Sequence, residues 1–222
     1  MSKAALRARV RELFAAAVPA DLARRSEEIF AEVERTEFFR RARTVALYHA
    51  LPDEPQTKLF IEKHRTDKQI VLPYVEGENM IFRRLTGRLR SGAFGIAEPT
   101  GEEVTDIDLF VVPGVAFDMQ NRRLGRGRGY YDRFFAAAAH ATTAAAHAAA
   151  ATSVHPATAD AANHAIVTRP ETAAIAANHA VAAHPAKDAT AVPRIGVCFA
   201  FQMFPTIACE PHDQPMTLII NR

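Results

Sequence analysis

Five short apolar runs, nearly free of charge, limit most strongly how this chain can fold. They are TVALYHAL (Thr44–Leu51), QIVLPYV (Gln69–Val75), DLFVVPGVAF (Asp108–Phe117), RIGVCFAF (Arg194–Phe201) and MTLIIN (Met216–Asn221). Each reads as a strand, and helical segments fall between several of them. Continuous apolar strands alternating with helices point to a parallel sheet whose two faces are both covered. MIFRRL (Met80–Leu85) predicts a further strand in a hairpin or at an edge. The expected class is α/β, a three-layer sandwich with a mostly parallel central sheet and helices on both faces.

Leu6, Val10, Leu13, Phe14 and Ala17 recur at helical spacing, so the chain opens with an amphipathic helix ending near Pro19. Asp21 is the expected cap of a second helix, with Leu22, Ile29, Phe30 and Val33 on its apolar face. TKLFIEKHR (Thr57–Arg65) predicts another, and the residues from Tyr130 start a last one. With 222 residues, 49% hydrophobic and 23% charged, the composition is that of a soluble globular protein, read here as a single domain over 1–222. A net charge of +2 does not argue for nucleic acid or membrane as a partner. Cys198 and Cys209 read as reduced thiols rather than a disulfide. The arginine-studded N-terminus does not resemble a signal peptide, and no stretch is apolar enough to span a bilayer. The expectation is a cytoplasmic monomer.

Residues 136–192 break the pattern. Roughly half are alanine, and six of the nine histidines lie there. Large apolar side chains are scarce, so helices favoured by alanine would have little to bury. The segment reads as a mobile, low-complexity insert on a surface connection. His140, His147, His155, His164, His179 and His184 contain no pair three or four residues apart, which argues against a metal site.

The stretch RRLGRGRGYYDRFF (Arg122–Phe135) carries the chemistry. Gly125, Gly127 and Gly129 alternate with Arg126 and Arg128, behind Arg123 and Leu124 and ahead of Tyr130 and Tyr131. Alternating glycines let a backbone approach a ligand closely, and N–H groups ahead of a helix form an anion nest. Guanidinium groups add bidentate donors suited to phosphate. The spacing is neither the dinucleotide fingerprint nor the Walker loop. Alone, the loop also fits a solvated turn or an RNA contact. Asp132 favours a phosphate held through a cation, because a carboxylate beside an anion nest repels phosphate unless a hard ion lies between them. Asp213, in EPHDQP (Glu210–Pro215), is a second candidate for that ion, although a turn aspartate is commonly bound to its own backbone.

VVPGVAFDMQNRRLGRGRGYYDRFF closely resembles the signature of the 5-formyltetrahydrofolate cyclo-ligase family, also called methenyltetrahydrofolate synthetases. KAALR, LPDEPQT, FGIAEP and GVCFAFQ…EPHDQPM agree in order and spacing. The resemblance implies conversion of 5-formyltetrahydrofolate, with or without a polyglutamate tail, to 5,10-methenyltetrahydrofolate. ATP is the co-substrate and Mg²⁺ is required; ADP and phosphate are released. Lys3, Ala4, Ala5, Leu6 and Arg7, together with Arg123 to Tyr131, would then meet ATP. Lys3 and Arg7 would otherwise read as a solvated basic face. His49, Glu54 and the Arg126–Tyr130 stretch (Arg126, Gly127, Arg128, Gly129, Tyr130) would meet folate. Arg126, Arg128 and Tyr130 would take part in catalysis, and Asp132 and Asp213 would hold Mg²⁺. His49 stands where the family usually has a small or aliphatic residue, Thr217 where many relatives carry aspartate. An isomerase or transferase acting on phosphosugars or CoA esters would need neither Mg²⁺ nor a nucleotide beside Lys3 and Arg7. An RNA-binding protein would leave Glu54, Asp132 and Asp213 opposed to its ligand.

Overall fold

In the computed structural model, which describes residues 1–87, 89–92, 97–138 and 192–222, the apolar runs come together in one six-stranded sheet. Three helices, α1 (Lys3–Ala15), α2 (Pro19–Arg35) and α3 (Glu37–Arg41), precede β1 (Thr44–Ala46). α4 (Lys58–His64), β2 (Gln69–Glu76) and β3 (Asn79–Arg84) follow, then β4 (Leu89–Ser91) and β5 (Ala97–Pro99), which pair antiparallel. β6 (Leu109–Pro113), β7 (Ala116–Asp118) and β8 (Arg123–Leu124) lead into α5, over residues 130–138. β9 (Arg194–Cys198), a 3-10 turn (Ala200–Gln202), β10 (Met203–Phe204) and β11 (Leu218–Asn221) end the chain.

The main sheet runs β11-β9-β6-β1-β2-β3. Its pairings are parallel except β2 with β3, so MIFRRL supplies the expected antiparallel edge. Side chains alternate across a strand, and the core divides accordingly. Val45, Leu47, Ile70, Leu72, Leu109, Val111, Ile195 and Val197 join one cluster with Ile29, Phe30 and Val33 of α2, Phe39 of α3 and Phe60 of α4. Ala46, Val71, Phe110, Val112 and Cys198 join the other with Phe135 of α5. Two buried faces explain why β6 and β9 are buried at every position. Leu6 and Val10 of α1 pack on Ala116, Leu124 and Ile207, attaching the first helix to the small β10-β7-β8 sheet.

Several expectations are corrected. α1 ends at Ala15, and the next helix starts at Pro19 behind Val18, with no side-chain cap. Asp21 instead lies in the first turn, where Arg24 and Arg25 donate to its carboxylate. Proline suits the first helical position because its missing N–H has no partner there in any case. The first apolar run is a strand only over Thr44–Ala46; Leu47 N still donates to Val71 O, and the chain then leaves the sheet. DLFVVPGVAF splits into β6 and β7 on either side of Gly114, where a Cβ would lie 2.7 Å from the Phe117 ring. The insert's expected ends belong to the fold: residues 136–138 continue α5, and Val192 is a core residue. The remainder, with its six histidines, lies outside the described residues.

Candidate active site

The carboxyl ends of parallel strands are where open α/β sheets bind ligands. Here a cleft of about 670 Å³ opens at that edge. Tyr48, His49 and Glu54 line it beyond β1, Pro113 and Gly114 at the end of β6, and Gly125 to Asp132 across from them. Lys3 and Arg7 enter from α1, and Glu210, His212 and Asp213 from the loop before β11.

The glycine loop is presented by the β7–β8 hairpin, an element the sequence reading did not anticipate. Asp118, wholly buried, organises its turn. Asp118 Oδ1 accepts from the backbone N–H of Gln120 and Arg122, each at 3.0 Å; Oδ2 accepts from Arg122 Nε at 2.7 Å and Ile207 N at 2.8 Å. The loop then passes through Gly127 (φ +100°) and Gly129 (φ +67°), conformations that side chains with a Cβ adopt only under strain. Arg7 Nε donates to Gly125 O at 2.9 Å. Gln202 supports the opposite wall, its Nε2 donating to the carbonyls of Gly114 and Val115 at 2.9 and 3.0 Å. An aspartate closing an apolar run, with Asn121 three residues on, was the available signal for this turn.

Several charged groups of the cleft are paired with one another. Lys3 Nζ donates to Asp213 Oδ2 at 2.8 Å and Glu210 Oε1 at 2.9 Å. Burial pulls the Lys3 pKa down, but the two carboxylates outweigh it and raise it. Burial pushes the Asp213 carboxyl up, yet hydrogen bonds from Lys3 and the Glu210 backbone hold it below the usual carboxylate range. Arg123, itself buried, donates to Asp132 Oδ1 at 3.0 Å, and its guanidinium lies 5.2 Å from the Tyr131 ring. Glu54 is buried; Oε2 accepts from Leu51 N at 3.0 Å and Oε1 from Arg126 Nε at 3.2 Å. Desolvation raises its pKa, against the opposing pull of the Leu51 N–H and Arg126. Asp53 holds the far end of the Arg126 guanidinium.

A model described as the 5-formyltetrahydrofolate cyclo-ligase family matches residues 1–157, well over half of the chain. The chain belongs to that family. Among its cyclo-ligase relatives, a "probable 5-formyltetrahydrofolate cyclo-ligase" of Schizosaccharomyces pombe is 36% identical over 109 residues, covering 43% of this chain and 53% of the relative. A protein of Arabidopsis thaliana named "5-formyltetrahydrofolate cyclo-ligase, mitochondrial" is 31% identical over 156 residues, covering 60% of this chain and 56% of its own length. The chain thus spans a little over half the length of these relatives. The NMR structure of Aquifex aeolicus 5,10-methenyltetrahydrofolate synthetase superposes with a TM-score of 0.69 at 25% identity, covering 100% of this chain and 90% of that one.

Seen against the cyclo-ligase signature, Lys3, Arg7, His49, Glu54, Arg123 to Tyr131, Asp132 and Asp213 all line the one cleft. Ala4, Ala5 and Leu6 do not. Positions i and i+4 of a helix share a face, so turning Lys3 and Arg7 to the cleft sends Leu6 into the core and leaves Ala4 and Ala5 exposed. Tyr130 lies at the rim, its hydroxyl 3.4 Å from Gly77 O, while Tyr131 packs inward beside Phe135. Thr217 is not a cleft residue; its Oγ1 accepts from Arg194 N at 3.0 Å where β11 joins β9. Cys198 is buried, which pushes its thiol up to about 12 and leaves it unreactive. Among the described residues, no three His, Cys, Asp or Glu converge as a metal cage. None of the described helices is long and apolar enough to cross a membrane.

Proposed function

We propose that this protein is a 5-formyltetrahydrofolate cyclo-ligase that uses ATP and Mg²⁺ to form 5,10-methenyltetrahydrofolate, ADP and phosphate. The observation that carries the reading is the lining of a single cleft by a glycine-arginine loop, two basic residues of α1, a buried glutamate and two aspartates. Its volume suits small-molecule ligands. Lys3, Arg7 and the loop N–H groups would take the triphosphate. Glu54 would accept from N–H groups of the pterin, as a buried carboxylate does with paired donors. His49 and Tyr130 would contact folate at the rim. Mg²⁺ is usually held by one or two carboxylates with substrate phosphates, so Asp132 and Asp213 fit it without a cage, and the ion would neutralise phosphate charge.

A formamide oxygen leaves poorly. In the proposed reaction it attacks the γ-phosphorus, and the bond to ADP breaks. The neighbouring folate nitrogen then attacks the formyl carbon, loses its proton and expels phosphate as the five-membered ring closes. The chain's work is to hold the two reactants together and to spread phosphoryl charge over Arg126, Arg128 and the loop amides. A monomer in the cytoplasm, accepting folate with or without a polyglutamate tail and binding no nucleic acid or membrane, belongs to the same proposal. Growth of the methenyl absorbance band with 5-formyltetrahydrofolate, ATP and Mg²⁺ tests it. The band should be lost with EDTA and in Asp132→Ala. Nucleotide binding without any band would overturn the folate assignment.

A further inference from the structure

Arg126 spans the cleft in a way the phosphate-binding reading does not require. It belongs to the glycine loop, yet its guanidinium reaches the loop after β1. There Nε donates to Glu54 and Nη2 to Asp53. Glu54's other oxygen is already taken by Leu51 N, so both its oxygens are engaged before any ligand arrives. The Glu54 side chain is 8% exposed, against 38% for Asp53 and 41% for Arg126. A buried carboxylate stripped of its cation is costly unless other donors replace it. Arg126 therefore leaves Glu54 easily when a donor-bearing ligand enters. It also leaves easily when something outbids the two carboxylates, as a polyphosphate does through bidentate contacts. Glycines on both sides of Arg126, with Gly127 at φ +100°, supply the backbone freedom for the swing. Lys3 repeats the pattern at the other end of the cleft, resting on Asp213 and Glu210.

We infer that Asp53 is a positioning residue that holds Arg126 on Glu54 in the free protein, so that nucleotide and folate each release the latch for the other and bind with positive coupling. The inference rests on the nucleotide and folate reading above and adds to it a partner exchange at one arginine. Either ligand alone must bind against the latched fraction. The second ligand finds Arg126 and Glu54 already separated, and the coupling is reciprocal.

The test is calorimetric titration of the full chain with a non-hydrolysable ATP analogue and with 5-formyltetrahydrofolate, each alone and each with the other saturating. In the wild type, each ligand should bind more tightly when the other is present. Asp53→Asn and Asp53→Ala should tighten each ligand alone by about two- to fivefold, the range an exposed ion pair is worth, and should lower the coupling by the same factor. Tightening that is equal with and without the second ligand would be a plain charge effect and would overturn the latch. So would unchanged coupling, or weaker binding of both ligands. A wild type that binds the analogue but not folate would overturn the functional reading instead, a result distinct from any of these.

Discussion

Arg7 and Gly125, 118 residues apart in the chain, are joined by a 2.9 Å hydrogen bond from the guanidinium Nε to the glycine carbonyl. It ties the first helix to the glycine loop, so an N-terminal element shapes the segment that follows the β7–β8 hairpin. Arg7→Ala should weaken nucleotide binding by about ten- to a hundredfold, since a hydrogen bond from a charged group is worth about 1.5–3 kcal/mol. Arg7→Lys, which keeps the charge without the fork, should recover only part of this. Titration of both variants with a fluorescent nucleotide decides the matter; wild-type affinity in Arg7→Lys would show that charge alone matters.

Asp118 carries the turn before the loop. Removing its carboxylate in Asp118→Ala strands three backbone N–H groups and Arg122, a loss of about 3–5 kcal/mol by the usual cost of breaking a buried pair. For a chain of this size that corresponds to a fall in Tm of roughly 6–20 °C. Calorimetry would check it, and an unchanged Tm would mean that the turn holds without its carboxylate.

Gly127 adopts φ +100°, while its Cβ position is roomy, 3.7 Å from the nearest Arg7 atoms. Gly127→Ala should therefore act through backbone strain, about 1–3 kcal/mol, and not through a clash. The expected outcome is weaker nucleotide binding with a fall in Tm of roughly 2–12 °C. A larger loss of Tm would point to a clash and contradict it.

Glu54 is held above the ordinary carboxylate range by burial. A raised folded-state pKa means that the folded protein binds the proton more tightly than the unfolded chain does. Its contribution to stability is then fully present below the unfolded value, about 4.3, and is lost as pH rises through the folded value. Glu54→Gln should remove that loss, leaving the ligand-free protein at least as stable at pH 7 while folate binding collapses. Thermal melts from pH 4 to pH 8 would show a flatter profile for the variant. A profile parallel to that of the wild type would refute the assignment.

Asp213 behaves in the opposite sense. Lys3 and the Glu210 N–H hold its folded pKa low, so its contribution is present above the unfolded value, about 3.9, and is lost as pH falls through the folded one. Lys3→Met should shift the acid unfolding midpoint upward, read by circular dichroism during acid titration. It should also weaken nucleotide binding, because the amine lines the cleft where the proposed triphosphate would lie.

The layer architecture was legible because its causes are local and periodic. β6 and β9 are apolar at nearly every position, which only a sheet covered on both faces requires, and the alternation of Leu109 and Phe110 between two clusters follows from the strand's own period. The glycine-arginine loop was legible for a similar reason, since the spacing of residues without Cβ atoms is itself a statement about backbone conformation. The β7–β8 hairpin was not legible. Two short strands paired across one turn depend on a buried carboxylate that meets Ile207, which comes 89 residues later.

Sequence alone determined which charged and glycine residues the chain offers to a ligand, and placed Lys3 and Arg7 on one helical face. Only the tertiary structure decided that the helix face bearing Lys3 and Arg7 would meet the cleft while Ala4 and Ala5 stayed exposed. It alone also set Arg126 across from its own loop, on Asp53 and Glu54, and Lys3 on Asp213 and Glu210. The reason is range. Periodicity and backbone preference act over a few residues, whereas these pairings of charge in the cleft depend on how elements 72 to 210 residues apart are packed.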